Sequence, residues 1–321
     1  MEGKKRPPPR IQVPAQQQFT EIPSMHRTNS GKLRIDSLSD IEFIERLGQG
    51  SAGIVDKCRH IPSNKIVAVK RVPLTSNNEI KRQIITEVNA LNSCKNQHIV
   101  YSYGAVVHQG VMNIIMEYMD KGSLKDALQR CGRISEDVIG HIAFQVLSGL
   151  EYLHRKKKIV HRDIKPSNLL LTSEGLVKIS DFGVSGIMSH TNATKRTFVG
   201  TVTYMSPERF TDEGYHVDTD IWSLGLSLLE CATGRYPYPE PDENGNIPVL
   251  TFWELMNYIS ARKAPEPPPG SSEEFRDFIR ICLGKEKDSR STVGELLSHP
   301  FIQRNINPIS FNLWLNQINS L

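Results

Sequence analysis

The chain has 321 residues, 38% of them hydrophobic and 23% charged, with a formal net charge of +4. That composition fits one large or two small globular domains, and so mild a charge gives no argument for nucleic acid. The cysteines Cys58, Cys94, Cys131, Cys231 and Cys282 are dispersed, with no CxxC pair and no zinc-spaced histidines, and no apolar run approaches the ~18 residues of a membrane span. These features exclude a disulfide framework and predict a soluble protein of the cytoplasm, with the nucleus as a further location and neither nucleic acid nor membrane as a partner.

Residues 1–35 are rich in Pro, Gln, Ser and Lys/Arg and lack apolar periodicity, so they read as a flexible tail. From Ile41 the pattern changes. "FIERLGQG" and "GIVDKCRH" read as strands around a glycine turn, and "KIVAVKRV" as a third strand. "NEIKRQIITEVNAL" sets Ile80, Ile84, Ile85, Val88 and Leu91 on one helical face. "IVYSYGAVV" and "MNIIMEY" return to strand. Past Lys121 the chain turns helical, through "SLKDALQR", "EDVIGHIAFQVLSGLEYLHRK", "DIWSLGLSLLECATG" and "FWELMNYIS". A strand-rich front with one helix and a helix-rich back predict an α+β protein of two lobes, joined near Glu117–Lys121.

In "GQGSAGIV", Gly48, Gly50 and Gly53 lie between two strands. Glycines there let backbone N–H groups approach a phosphate without a Cβ in the way. A dinucleotide-binding version of GxGxxG leads from strand into helix, whereas this one leads into strand; taken alone it is also compatible with a glycine-rich hairpin turn. Further along, Lys70 ends "VAVK", where an ammonium can neutralise phosphate oxygens, and Glu87 lies on the helix face that can hold it. "HRDIKPSN" supplies Asp163 as acceptor for a hydroxyl proton, Lys165 as a charge beside a transferred phosphoryl group, and Asn168 as an oxygen ligand for Mg²⁺. "DFG" adds Asp181, a carboxylate for a bridging metal. Phosphoryl transfer needs positioning and charge neutralisation more than covalent chemistry, and this set supplies both.

The order Gly-loop, VAVK, Glu, HRDxKxxN, DFG and "SPE" (Ser206–Glu208) resembles a eukaryotic protein kinase over Ile41–Gln303. The resemblance implies a bilobal fold, with a small antiparallel-sheet N-lobe (41–116) carrying one regulatory helix and a larger helical C-lobe (121–303). It implies ATP and Mg²⁺ as cofactors, with Asn168 and Asp181 as metal ligands. Leu47 and the glycines would roof the nucleotide, and Val55, Ala68 and Leu170 would sandwich the adenine. Glu117 and Met119 would offer hinge backbone groups, Met116 would guard the pocket behind, and Ser167 would join Lys165 near the phosphates. His161, Phe182 and Leu91 would form a regulatory spine, whose next position falls at Ser102, where a larger apolar residue is usual. Glu208 would pair with Arg290, and Asp220 would anchor the catalytic loop. Lys165 marks the serine/threonine type of loop.

"MEYMDKGSL", "KISDFGVSG", "FVGTVTYMSPER" and "DIWSLGLSLLECATGRYPY" together resemble a MAP kinase kinase. That implies dual specificity toward the Thr and Tyr of a TxY segment, a MAP kinase substrate, an upstream MAP kinase kinase kinase and a scaffold protein as partners. It also assigns the tail: Lys4, Lys5 and Arg6, a proline spacer, then Ile11 and Val13 resemble a MAP kinase docking peptide. As a bare sequence the segment reads as a solvated basic tail, and a nuclear address or a polyproline ligand are the other readings. The segment 304–321, with "SFNLWLNQI", resembles a docking site for upstream kinases, or is an ordinary closing helix. Thr197 matches the downstream activating phosphosite. Ala193 stands at the upstream metazoan position, and plant spacing points to Thr191, with Thr194 and Ser189 as alternatives. Only "YPEPDENGNIPVLT" stands where metazoan relatives carry a proline-rich insert, and Ser180 precedes DFG where those relatives often have Cys. A Ser/Thr-only kinase and a pseudokinase scaffold are the competing functions; intact Lys70, Asp163, Asn168 and Asp181 oppose the second.

Overall fold

A computed structural model describes residues 33–50, 53–74, 77–181, 203–210, 216–240 and 246–318. The docking peptide Lys4, Lys5, Arg6, Ile11 and Val13, the phosphosites Thr191 and Thr197, and Phe182 lie outside them.

Strands β1 (Ile41–Gly50), β2 (Gly53–His60), β3 (Lys65–Pro73), β4 (Ser102–His108) and β5 (Val111–Glu117) form one antiparallel sheet in the order β1-β2-β3-β5-β4. Strand β3 is buried on both faces, with Val67, Ala68, Val69 and Lys70 consecutively buried, as its dense β-branched run suggests. Helix α1 (Asn78–Asn92) places Ile84, Val88 and Leu91 inward, the face its spacing predicts. The hinge region Glu117–Lys121 then leads into α2 (Leu124–Cys131), whose Ser123 capping box with Asp126 fixes where helix begins.

Two helices form the floor of the second lobe. In α3 (Glu136–Glu151) and α4 (Asp218–Thr233) most residues are buried, as expected of helices apolar around most of their circumference. The hairpin β6 (Leu169–Leu171) and β7 (Val177–Ile179) lies on α3, and α5 (Phe252–Ala261), α6 (Glu273–Cys282), α7 (Val293–Leu297), α8 (Pro300–Arg304) and α9 (Ile309–Gln317) complete the lobe. A second tie joins the lobes: Ile179 N donates to His98 O at 2.9 Å and Val100 N to Ile179 O at 3.0 Å.

Packed structure begins before the boundary that the sequence suggests. Ile35, assigned above to the flexible tail, is 1% exposed and sits against Cys58, Val67, Val69, Tyr103 and Ile115. Its N–H donates to Tyr103 O at 3.1 Å. Gly104, at φ +156°, admits this strap because a Cβ there would run into the Ile35 carbonyl. Leu33, Ile35 and Leu38, which pack together on this core, are too few beside the long polar tail to set a strand period. Ile35→Ala is expected to lower stability by about 2–4 kcal/mol, read as a fall in the melting temperature; an unchanged melting temperature would show the strap to be passive.

Candidate active site

The catalytic loop is held from below by buried charge. Asp220 Oδ2 and Oδ1 accept the N–H groups of His161 and Arg162, each at 2.8 Å, and His154 Nε2 lies 2.8 Å from Oδ2. Burial alone would raise the Asp220 carboxyl, but the hydrogen bond and charge of His154, with His161, hold it below the usual range. Arg290 grips Glu208 with two parallel bonds of 2.6 and 2.7 Å, locking the "SPE" segment to the lobe. Both anchors match the sequence assignment. His154 as the third member of the Asp220 group was not anticipated; a histidine in an apolar helix was its only signal.

Above these anchors the loop converges on Asp163, which is 6% exposed. Lys165 Nζ reaches both of its carboxylate oxygens at 2.9 Å. Asn168 Nδ2 donates to Asp163 Oδ2 at 2.9 Å and to the Asp163 carbonyl at 2.7 Å. That orientation leaves Asn168 Oδ1 as an oxygen donor, with the exposed Ser167 hydroxyl 3.5 Å away. Behind, His161 Nε2 sits 2.8 Å from Ser180 O, which sets the entry to Asp181.

Asp181 stands at φ +62°, a left-handed conformation uncommon outside glycine. Its Oδ1 accepts from Lys70 Nζ at 2.7 Å. Burial tends to raise its carboxyl, but Lys70 and then Lys165 and His161 keep it below the ordinary carboxylate range. Lys70 is positioned by register: it lies opposite Val55 on β2 and Ile114 on β5, and is 4% exposed.

The walls of the cleft come from the same sheet. Ala68 lies opposite Met116, and Val67 opposite Glu117. Gly48 pairs with Val55, and Gly50 with Gly53, at the β1–β2 turn. Gly53, at φ +132°, tolerates no side chain, since a Cβ would land on the Arg71 carbonyl. Leu47 remains 44% exposed over the opening. Met119 is buried, and Leu170 is half-buried on β6.

One sequence expectation fails in this arrangement. The Lys70–Glu87 ion pair is not made: Lys70 binds Asp181, while Glu87 Oε1 faces Arg162 Nη1 at 3.9 Å. Glu87 Oε2 has no hydrogen-bond partner among the described residues. Burial pushes the Glu87 carboxyl up to about 7, with Arg162 opposing. Sequence spacing places Glu87 on the correct face of α1 but carries no information on how far that helix stands from β3.

Glu117 has a role that the sequence reading missed. Lys178 Nζ contacts its two carboxylate oxygens at 2.7 and 2.8 Å, and Tyr101 N donates to Oε1 at 2.7 Å. This pair braces the hinge against β7. The signal was available: one acid in apolar "NIIMEY" and one lysine in apolar "LVKI". Ser102 lies opposite Met116, and its hydroxyl donates to Asn92 Oδ1 of α1 at 2.5 Å, tying β4 to the helix by a hydrogen bond.

Comparison with known proteins agrees with this geometry. Residues 41–302 match the protein kinase domain family. The chain is 44% identical over 299 residues to the dual specificity mitogen-activated protein kinase kinase dSOR1 of Drosophila melanogaster, covering 86% of this chain and 74% of that protein. It is 44% identical over 272 residues to mitogen-activated protein kinase kinase 1c of Physcomitrium patens, covering 84% and 78%. Against mitogen-activated protein kinase kinase 2 of Arabidopsis thaliana it is 42% identical over 269 residues, covering 84% and 74%. The chain belongs to the MAP kinase kinase family. This kinase is accordingly an ATP-binding phosphotransferase of the MAP kinase cascade, with the bilobal kinase fold. No helix among its described residues is long and apolar enough to cross a membrane.

Proposed function

We propose that this kinase transfers the γ-phosphoryl group of ATP to both the Thr and the Tyr of a TxY segment on a MAP kinase, and is itself switched on by a MAP kinase kinase kinase. The observation that carries the reading is 42–44% identity to MAP kinase kinases over most of the chain, on top of an intact Lys70, Asp163, Asn168 and Asp181 set. Asp163 receives the hydroxyl proton of the incoming residue, Lys165 offsets charge beside the transferred group, and Lys70 orients the phosphate oxygens. Mg²⁺ bound with the nucleotide supplies charge neutralisation, and Asn168 and Asp181 would hold it. These are hard oxygen donors. The described residues contain no metal-binding cluster of three or more His, Cys, Asp or Glu, in keeping with an ion held by few protein ligands plus phosphates. Leu47, Gly48, Gly50, Gly53, Val55, Ala68, Met116, Glu117, Met119, Ser167 and Leu170 are the proposed nucleotide contacts.

The observed contacts suggest the resting arrangement. Phosphate on Thr197, with Thr191 as the second site, would bring about −1.5 to −2 charges each and compete with Glu87 for Arg162. Glu87 is then released toward Lys70, and Asp181 is freed for metal. The test is phosphosite mapping of a catalytically dead MAP kinase after incubation with the activated kinase. Both Thr and Tyr of the TxY segment should be modified; Thr alone would return the reading to a Ser/Thr-only enzyme. Alanine at Thr191 and Thr197 together should block activation by the upstream kinase.

Docking acts through affinity in this account. Lys4, Lys5 and Arg6 meet an acidic patch on the MAP kinase, and Ile11 and Val13 enter apolar pockets. Ile11→Ala with Val13→Ala should raise KM for the MAP kinase by about tenfold and leave turnover of a short peptide unchanged. An equal fall for both substrates would make the tail structural. At the other end α9 buries Phe311, Trp314 and Leu315 in the lobe while Ile309 and Leu313 stay 62% and 60% exposed. One helix can therefore both close the fold and present an apolar pair to the upstream kinase or a scaffold.

A further inference from the structure

Between α3 and the catalytic loop the sequence carries four consecutive cations, Arg155–Lys158, which no step of phosphoryl transfer uses. The backbone there is irregular in two ways. Tyr152–Lys157 is wound as a π-helix, and it ends on Lys158 at φ +58°. π-Turns concentrate at functional sites, and a left-handed non-glycine residue costs about 1–2 kcal/mol where Gly would cost little.

The irregular winding separates the cations. Lys157 turns inward, donating to Ser93 O at 2.6 Å and Ser93 Oγ at 3.0 Å. Arg155, Lys156 and Lys158 instead line an open cavity of about 660 Å³, whose remaining wall includes Asn96, Ser148 and Tyr152. Tyr152 is fixed, its hydroxyl accepting from Lys95 N at 2.9 Å. Glu151 at the rim is bound by Arg155 at 2.8 Å, which offsets one positive charge. The three lining cations and one carboxylate leave a balance of two positive charges in a hollow of ligand size.

We propose that this cavity binds a compact ligand bearing two or more phosphoryl groups. One phosphoryl group at neutral pH carries about −1.5 to −2 charges, so a single phosphate offsets the surplus, and a second engages Arg155 by displacing the partly exposed Glu151 carboxylate into solvent. The Tyr152 hydroxyl and the Asn96 side-chain amide offer donors between the charges, whereas the Ser148 hydroxyl is spent on Phe144 O at 2.8 Å. The lining of the hollow comes from the end of α3 and the π-turn after it, with Asn96 from the loop before β4, so the charges lie close together, as a compact polyanion requires. A soluble inositol polyphosphate and a phosphoinositide headgroup share this chemistry.

The test uses the full-length kinase with its nucleotide site saturated by a non-hydrolysable ATP analogue and Mg²⁺. Inositol hexakisphosphate is titrated by calorimetry, and vesicles with and without phosphatidylinositol 4,5-bisphosphate are co-sedimented. The wild type should bind one equivalent, and Arg155→Ala/Lys156→Ala/Lys158→Gly should weaken binding by about tenfold or more. The control Arg262→Ala/Lys263→Ala, at exposed cations elsewhere on the lobe, should bind as the wild type does. Melting temperatures of all three establish that the fold is kept; Lys158→Gly relieves the left-handed residue and should not destabilise. Soluble binding alone assigns a free polyphosphate, and vesicle binding that requires the phosphoinositide assigns a headgroup. No binding, equal binding by the triple variant, or equal loss in the control would overturn the proposal.

Discussion

Lys70→Met or Asp181→Asn is expected to lower phosphoryl transfer by roughly three orders of magnitude or more, on a sample otherwise fully activated. Both side chains act on phosphates or metal, and neither fills the apolar core. Their mutual bond of 2.7 Å adds a second expectation. Lys70 is nearly buried, so removing either partner strands a charge, and each single variant should lose a few kcal/mol of stability. The double variant, in which both charges are gone, should recover part of that loss. Near wild-type turnover in either single variant would contradict the assignment, and equal melting temperatures throughout would show that the ion pair is not held in solution.

Glu87→Gln should act in opposite directions on stability and on activity. Its carboxyl is raised from 4.5 to about 7 by burial. A raised carboxyl stabilises the fold at low pH, and that contribution is lost as pH rises from about 4.5 through about 7. Above pH 7 the wild type therefore carries a buried charge facing Arg162 at 3.9 Å, whereas Gln carries none. The unphosphorylated variant should be more stable than the wild type at pH 8 by on the order of 2–3 kcal/mol, with the difference vanishing below about pH 4.5. Activity of the phosphorylated variant should nonetheless collapse, because a neutral amide cannot hold the Lys70 ammonium. Asp181, Asp220 and Glu208 carry the other sign: their lowered carboxyls stabilise above their unfolded values, and that stability is lost as pH falls. Melting curves across pH 4–9 separate the two contributions, since only the Glu87 one disappears in the variant.

The sequence was most legible where chemistry demands particular residue types at fixed spacing. Asp163, Lys165 and Asn168 fall within one loop, so their convergence follows from local geometry, and Glu208 with Arg290 is a bidentate pair that no other residue type supplies as well. The dense β-branched run "KIVAVKRV" likewise located β3 and hence Lys70. What the sequence could not convey depends on the distance between elements. Glu87 lies on the expected face of α1, yet whether it meets Lys70 or Arg162 is decided by where the helix rests, a matter of a few kcal/mol between two packings. Ile35 escaped because Leu33, Ile35 and Leu38 are too short an apolar pattern at the end of a long polar tail. The Lys178–Glu117 pair escaped because Glu117 reads as a source of hinge backbone groups and Lys178 as one cation on a short strand.

The central claim is that these contacts are the resting form of a phosphoryl-transfer site that phosphorylation rearranges. Its most direct test is the experimental structure of the kinase phosphorylated on its activation segment and bound to a non-hydrolysable ATP analogue with Mg²⁺. The account predicts Glu87 on Lys70, Arg162 on a phosphothreonine, and Asp181 with Asn168 on the metal. Glu87 still facing Arg162, with Lys70 still on Asp181, in a preparation that phosphorylates its MAP kinase at full rate would contradict it.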